Sequence, residues 1–341
     1  MEIPSSKAID QIQKLLRKPR TFIEGEFSPY FYRYYARYSN PSKFNGYLAL
    51  CRYLFSTTKA KDALVLDLGC GFGLMAILLA LYGAKEVIGY DLNMEKIDLF
   101  KKFIQYLGME VQNAKPVLGD SSKIDYPDGL FDVVITNETF SHVREMEESI
   151  KEVYRVLKPG GRFLIRDGNN SLFLLGRIKR RRLWKKMERG PVDPSWFRST
   201  DVPLPYREVR QKMILDKFPQ MDRLKINFLS RSTAGMVGEE ILRAVEDFEK
   251  NGKITHKSVF PYRNPMTGEY PEKEINPFSL RGMLQEIGFE VSFIPHFYSE
   301  SFRDLESTAK RFLYWIEKYL PMGHLFLAPG FALLGIRGNH I

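Results

Sequence analysis

The chain is 341 residues long, 44% hydrophobic and 27% charged, which allows one large core or a core with a cap and excludes a disordered or fibrous chain. Two cysteines, Cys51 and Cys70, give neither a disulfide framework nor a metal cluster, and they imply a reducing compartment. The net charge is +10, and most of it sits in Arg177–Arg189, which holds eight basic residues and one acid. Met1–Arg20 lacks the apolar segment of a signal peptide, and no apolar run approaches the about 18 residues of a membrane span. The expected location is therefore cytoplasmic, at most peripheral to a membrane.

Ser5–Leu16 carries Ile9, Ile12, Leu15 and Leu16 at helical spacing, and Pro19 ends it. An aromatic cluster follows: Phe27, Tyr30, Phe31, Tyr32, Tyr34, Tyr35 and Tyr38. Lys43–Phe55 reads as a further helix. At Ala63–Leu66 a short apolar run ends in Asp67, and a turn with Gly69, Gly71 and Gly73 follows. Leu74–Leu81 is apolar on every side and closes at Gly83; Val87–Tyr90 is a second short apolar run, ending in Asp91. The order is strand, glycine loop, buried helix, strand, with a carboxylate at each strand tip.

The glycine spacing narrows the ligand. A dinucleotide fingerprint places its third glycine where Leu74 stands; here Gly73 comes one residue early. Asp67, just before the loop, suits a cationic amine better than a phosphate. Asp91 lies about 20 residues past the loop, where such units hold a ribose diol. A ligand with a ribose, an ammonium group and no phosphate fits, and S-adenosylmethionine is one.

Met94–Leu107 reads as a helix, Pro116–Leu118 as a third strand ending at Gly119-Asp120, and Phe131–Thr136 as a fourth that delivers Asn137, Glu138 and His142. Met146–Leu157 is amphipathic and is stopped by Pro159, Gly160 and Gly161; Arg162–Arg166 is a fifth strand, ending at Asp167-Gly168. This alternation predicts an α/β fold with ligand at the carboxyl ends of a parallel sheet. Asn276 and Pro277 open a helix over Phe278–Ile287 that Gly288 closes; Phe289–Ile294 and Phe331–Ile336 read as the sixth and seventh strands. Between the fifth strand and Asn276 lies Asn169–Ile275. It holds a helix at Pro205–Lys217, a second at Ala234–Lys250 capped by Ser232 or Thr233, and a turn-rich stretch at Pro261–Pro277. A helix over Phe302–Tyr319 separates the last two strands.

The run Asp67-Leu-Gly69-Cys-Gly71-Phe-Gly73, with Asp91, Gly119-Asp120, Phe131-Asp132-Val-Val and Leu157-Lys-Pro-Gly-Gly161, resembles the successive motifs of class I S-adenosylmethionine-dependent methyltransferases, small-molecule branch. The resemblance covers roughly Lys61–Gly168. It implies a Rossmann-like, doubly wound sheet with an antiparallel seventh strand. It also implies a donor site from Asp67, Gly69, Cys70, Gly71, Gly73, Asp91, Leu92, Asp120, Ser121 and Asn137, with Asp120 facing the adenine amino group. Residues 1–60 would form a helical lid whose tyrosines either line the acceptor pocket or pack on the core. Residues 61–168 would form the core, 169–275 a cap insertion, and 276–341 the end of the sheet with an extra helical segment. Both extra segments leave the sheet at its ligand edge, which predicts a substrate-recognition cap.

Methyl transfer from a sulfonium is an in-line displacement that needs positioning and water exclusion. A hydroxyl acceptor also gains from a general base; His142 is the first candidate and Glu138 the second, their plainer roles being a structural histidine and a helix cap. The chain lacks the Asn/Asp-Pro-Pro-aromatic run of the family's nucleobase amino methylases, having Asn137-Glu-Thr-Phe140 instead. No cysteine stands where cytosine methylation would need it, and no acid cluster follows the fourth strand for a metal. The expected activity is methylation of a hydroxyl or carboxyl on a small molecule, sugar or lipid-linked acceptor. An RNA-directed enzyme, or a non-catalytic donor-binding partner protein, are the alternatives. Arg177–Arg189, with Leu172–Leu175 before it and Trp184 within it, is either a solvated helix face or a contact with anionic membrane.

Overall fold

The computed structural model describes residues 6–17, 27, 29–168, 171–192, 202–254, 260–268, 272–295, 311–312, 315–316, 319–320 and 322–338. The chain divides into two compact units, Met1–Phe173 with Ile275–Ile341, and Leu174–Glu274.

The first unit is built on a seven-stranded sheet: β1 (Leu64–Leu68), β2 (Glu86–Asp91), β3 (Ala114–Leu118), β4 (Phe131–Asn137), β5 (Leu157–Gly168), β6 (Phe289–Ile294) and β7 (Gly330–Arg337), in the order β3-β2-β1-β4-β5-β7-β6. The pairs among β1 to β5 are parallel, and β7 runs antiparallel between β5 and β6. Alternation within the strands feeds two cores. Val65, Val87, Val133, Ile135 and Leu164 pack on one face; Leu66, Ile88, Val134, Phe163 and Leu333 pack on the other. A parallel sheet covered on both faces explains why its strands read as apolar runs.

Three asparagines set helix starts in this unit. Asn40 accepts from the Lys43 N–H and opens the helix Pro41–Thr58. Asn93 caps Met94–Leu107, and Asn276 caps Pro277–Ile287, which ends at left-handed Gly288. The aromatic cluster partly forms a short helix, Pro29–Tyr34. Phe31, Tyr32, Tyr35 and Tyr38 are buried, and Phe31 and Tyr35 lie edge-on to Phe72 of the glycine loop. Most of these rings are thus core; Tyr34 is half exposed. The fifth strand begins at Leu157 rather than Arg162, because Leu157 pairs with Phe131 across a register shift. Most of the helix expected over Phe302–Tyr319 lies outside the described residues; Arg311, Phe312, Trp315, Ile316 and Tyr319 are helical. Where the insertion is rooted, the Ser171 hydroxyl donates to the Ile275 carbonyl at 2.8 Å.

The second unit contains helices Leu174–Arg189, Tyr206–Lys217, Arg223–Ser232 and Glu239–Asn251. The third of these stands where no helix is expected, and the last starts five residues later than its pattern suggests. Thr233 does not cap forward. Its hydroxyl donates back to the Leu229 carbonyl at 2.8 Å, and positive φ at Gly235 and Gly238 breaks the chain before Glu239. Arg210 is fully buried; it pairs with Glu188 and donates to the Ser230 carbonyl at 2.8 Å. Among the described residues no helix is long and apolar enough to cross a membrane.

Candidate functional site

The carboxyl edge of the sheet gathers the residues of interest. β1 ends in Asp67-Leu68, and the glycine loop turns there with φ of 77°, 58° and 81° at Gly69, Gly71 and Gly73. A Cβ on Gly69 would fall 2.1 Å from Thr139 Cγ2, so that position admits glycine only. Gly71 differs: a Cβ there would meet only Tyr34 Oη, at 3.8 Å. Gly71, itself buried, thus has room for a Cβ against Tyr34 that Gly69 lacks.

Asp91 staples this loop to β2. Its Oδ2 accepts the Gly71 N–H at 2.9 Å and its Oδ1 accepts the Asn93 N–H at 2.9 Å, while Lys96 Nζ lies 3.8 Å away. Each oxygen keeps a further acceptor site for a diol. Next to it Leu92 is exposed, as a residue covering a flat ring would be. Cys70 is buried, and burial first, then the charges of Asp67 and Asp91, push its thiol up, so it fills space as a neutral group.

Asp67 is 2% exposed, and its Oδ2 has no hydrogen-bond partner among the described residues. Burial foremost, then the charge of Asp91, pushes its carboxyl up to about 7, against an N–H from Ala76. A buried carboxylate with an idle oxygen is unstable without a cation. A ligand ammonium would supply one, so these residues fit S-adenosylmethionine: cation at Asp67 and diol at Asp91.

Asp120 and Ser121 occupy a separate turn after β3. Asp120 Oδ1 accepts from the Ser122 N–H and hydroxyl, both at 2.8 Å, and Ser121 Oγ lies 2.9 Å from Ser149 Oγ. This turn is joined to Asp91 through the backbone, by the Gly119 N–H to the Asp91 carbonyl at 3.0 Å.

After β4 the chain makes turns rather than a helix. Glu138 holds a left-handed φ of 57°, uncommon for a residue with a side chain. Arg166 of β5 donates to Asn137 Oδ1 at 2.9 Å and to Glu138 Oε1 at 3.2 Å; Arg37 Nη2 lies 3.5 Å from Glu138 Oε2. Burial alone would raise the Glu138 carboxyl, but Arg166 and Arg37 outweigh it and hold it below its ordinary value. Glu138 is thus an ion-paired carboxylate and not a helix cap. Thr139 Oγ1 donates to the Gly69 carbonyl at 3.3 Å, tying this turn to the glycine loop. The His142 N–H closes the turn on the Thr139 carbonyl at 2.9 Å. Asp167, buried at the end of β5, accepts from the N–H groups of Ser141 at 3.0 Å and Gly168 at 2.7 Å. Burial raises its carboxyl; those bonds and the nearby charge of His142 act the other way.

The structure therefore bonds Gly71 to Asp91 and Gly69 to the neighbouring Tyr90 carbonyl at 2.7 Å, holds Asp67 within reach of the Asp91 charge, and joins Asn137 and Glu138 through Arg166. His142 lies within electrostatic reach of Asp167. Arg37, Arg166, Thr139 and Asp167 escape the sequence reading. Arg166, a charge inside an apolar strand, and Asp167, an acid at a strand end, carry local signals.

Residues 66–165 match the family model described as a methyltransferase domain. A sterol 24-C-methyltransferase from Eremothecium gossypii is 39% identical over 102 residues, covering 30% of this chain and 27% of that one. An uncharacterized methyltransferase, YcgJ of Bacillus subtilis, is 34% identical over 103 residues, covering 30% and 40%. A phosphoethanolamine N-methyltransferase from Arabidopsis thaliana is 33% identical over 103 residues, covering 30% and 20%. The chain thus spans between 20% and 40% of the length of these three relatives. The crystal structure of YcgJ superposes with a TM-score of 0.44 at 14% identity, covering 85% of this chain and 98% of that one. With the sheet order, the bonded glycine loop and the matched segment together, residues 66–165 are a class I S-adenosylmethionine-dependent methyltransferase domain.

Proposed function

We propose that the chain transfers a methyl group from S-adenosylmethionine to a hydroxyl or carboxyl oxygen of a small-molecule, sugar or lipid-linked acceptor. The donor, when bound, supplies an electrophilic methyl group on a sulfonium. The observation that carries the reading is the buried Asp67 carboxylate with an idle oxygen beside the Gly71–Asp91 staple. Asp67 faces the ligand's ammonium group, Asp91 takes the ribose diol, and Asp120 with Ser121 borders the adenine. Cys70, Gly73, Leu92 and Asn137 complete the surroundings.

Between the two candidate bases, the electrostatics favour His142. Glu138, held low by two arginines, is a weak proton acceptor near neutral pH and serves to fix Arg166 and Asn137. His142 takes the proton of the acceptor hydroxyl, and the buried Asp167 carboxylate stabilises the resulting imidazolium. Relatives named for sterol and phosphoethanolamine methylation support a small-molecule acceptor. We assign acceptor recognition to the N-terminal segment and the insertion, and an anionic membrane contact to Arg177–Arg189. Within its own unit that run is partly neutralised, since Arg177 and Arg181 lie 3.7 and 3.2 Å from Glu274 and Arg180 pairs with Glu272. The location that follows is cytoplasmic or peripheral at the membrane.

Calorimetry with the donor is the test. Asp91→Ala should weaken donor binding by about 1.5–3 kcal/mol, since the diol loses a charge-assisted pair and the loop loses its staple. Unchanged donor affinity in that variant, or tight binding of NAD in place of the donor, would sink the reading.

A further inference from the structure

In the second unit, Arg207 and Arg210 stand three positions apart on the helix Tyr206–Lys217 and so share one of its faces. Both reach to the helix Arg223–Ser232. Arg207 pairs with Asn227 Oδ1, which also accepts from Gln211 Nε2 at 3.3 Å, and Arg210 Nε donates to the Ser230 carbonyl at 2.8 Å. Those bonds bring Arg231 with them, since it follows Ser230 and lies one helical turn past Asn227. Arg210 Nη2 pairs with Glu188 of the helix Leu174–Arg189, whose last residue is Arg189. Three helices thus bring four guanidinium groups together about one buried carboxylate.

The charges of this cluster are not met within it. Among the described residues Arg189, Arg207 and Arg231 form no ion pair. Arg210 is fully buried, yet its Nη1 has no hydrogen-bond partner, and neither has Arg207 Nε. Glu188 Oε2 is unpartnered too, so Arg210 and Glu188 meet through one oxygen and leave Nη1 over. Burial first, then the charge of Arg231, hold the Arg207 guanidinium below its ordinary value; Arg189 and Arg210 add to this and Glu188 opposes it. Like charges so placed repel unless a counter-charge sits among them. The donors select its chemistry. Guanidinium forks match the oxygens of a phosphate, which brings up to about two negative charges and three acceptor oxygens. A carboxylate brings one charge and would leave most of the excess standing. Arg189 and Arg231 are exposed and Arg207 is half-buried, so an anion reaches them from solvent, with Arg210 beneath.

We propose that Arg189, Arg207 and Arg231, above the buried Arg210, form a binding site for a phosphate group, carried either by a soluble ester or by a lipid headgroup. The site goes beyond methyl transfer and does not depend on it. The experiment is calorimetric titration of the full chain with inorganic phosphate and with glycerol 3-phosphate, at low salt with chloride as the background anion. Wild type should bind one phosphate saturably. Arg207→Gln and Arg231→Gln should each weaken that binding at least tenfold. Arg223→Gln, at an exposed position on the far end of the same helix as Arg231, should leave it unchanged. Without phosphate, Arg231→Gln should raise the unfolding temperature, because a repelled charge is gone. Glycerol 3-phosphate binding at least as tight as that of inorganic phosphate supports the site and identifies a soluble ester. Pelleting with vesicles of phosphatidylcholine and phosphatidic acid, lost in Arg207→Gln, supports the site and identifies a headgroup. Absence of saturable phosphate binding overturns the proposal, as does equal binding by wild type and both cluster variants. So does a lowered unfolding temperature for Arg231→Gln with phosphate binding unchanged, since that arginine would then be structural. RNA binding by a chain that ignores phosphate overturns it as well. Donor calorimetry on the same samples reports the methyltransferase reading separately.

Discussion

The two ends of the candidate site handle buried charge in opposite ways. At the glycine loop, Asp67 is buried with an idle oxygen, and its carboxyl is pushed up to about 7. At the turn after β4, Glu138 is gripped by Arg166 and Arg37 and held low. One end is electrostatically incomplete and the other is already satisfied. The lesson is that an unmet charge marks where a ligand's own charge belongs, while an internally paired cluster sets geometry for neighbours. In the proposed function the donor's ammonium group would complete the first end, and the second would receive an acceptor hydroxyl.

The largest expected effect tests the acceptor end. His142→Ala should lower turnover about 100-fold or more while donor affinity stays nearly constant. A fall in donor binding as large as the fall in rate would make His142 structural and erase the contrast between the ends. The next effect sharpens the donor end. Without donor, folded Asp67 keeps a proton to about pH 7 that the unfolded chain releases near its ordinary value of 3.8. The folded state thus binds more protons across that window, and the stability of the free protein falls as pH rises through it. A bound cation favours the carboxylate, so donor affinity should drop up to about tenfold for each pH unit below 7 and level off above it. Asp67→Asn should abolish that slope in pH-resolved calorimetry; a slope that survives would place the titration elsewhere. The smallest effect concerns Arg37. Its pair with Glu138 is half exposed, and such pairs contribute about 0–1 kcal/mol. Arg37→Ala should alter turnover by no more than about threefold. A loss comparable to that of His142→Ala would show that Glu138 does more than hold its neighbours.

The difference between the ends also explains what could be read from the chain. Asp67, Gly71 and Asp91 lie within one strand-loop-helix-strand unit, so their spacing alone signals their joint role. Arg37 and Glu138 are 101 positions apart, and they meet only because the N-terminal helices fold onto the sheet edge. No local pattern announces such a pair. Asp167 was visible as a strand-end acid, but its carboxylate reaches Ser141 through the parallel register of β4 and β5, which only the sheet supplies. Ser232 and Thr233 show the reverse failure. A hydroxyl residue before an apolar stripe looks like a cap, yet the same hydroxyl can bond back to the preceding turn, as Thr233 does. Pro277 and Gly288 left no such ambiguity, because proline at the start and glycine at the end of a helix each have one geometric reason to be there.

The hydrogen bond between Ser171 and Ile275 has a consequence for how this gene product can be rebuilt. The chain leaves and re-enters the first unit through a gateway one hydrogen bond wide, although 104 positions separate the two residues. Closing so narrow a gap needs only a short turn, and the entropic cost of a loop grows slowly with its length. The insertion is therefore a cassette: it can be cut out, lengthened or exchanged for another at that gateway, with the strands on either side left in register.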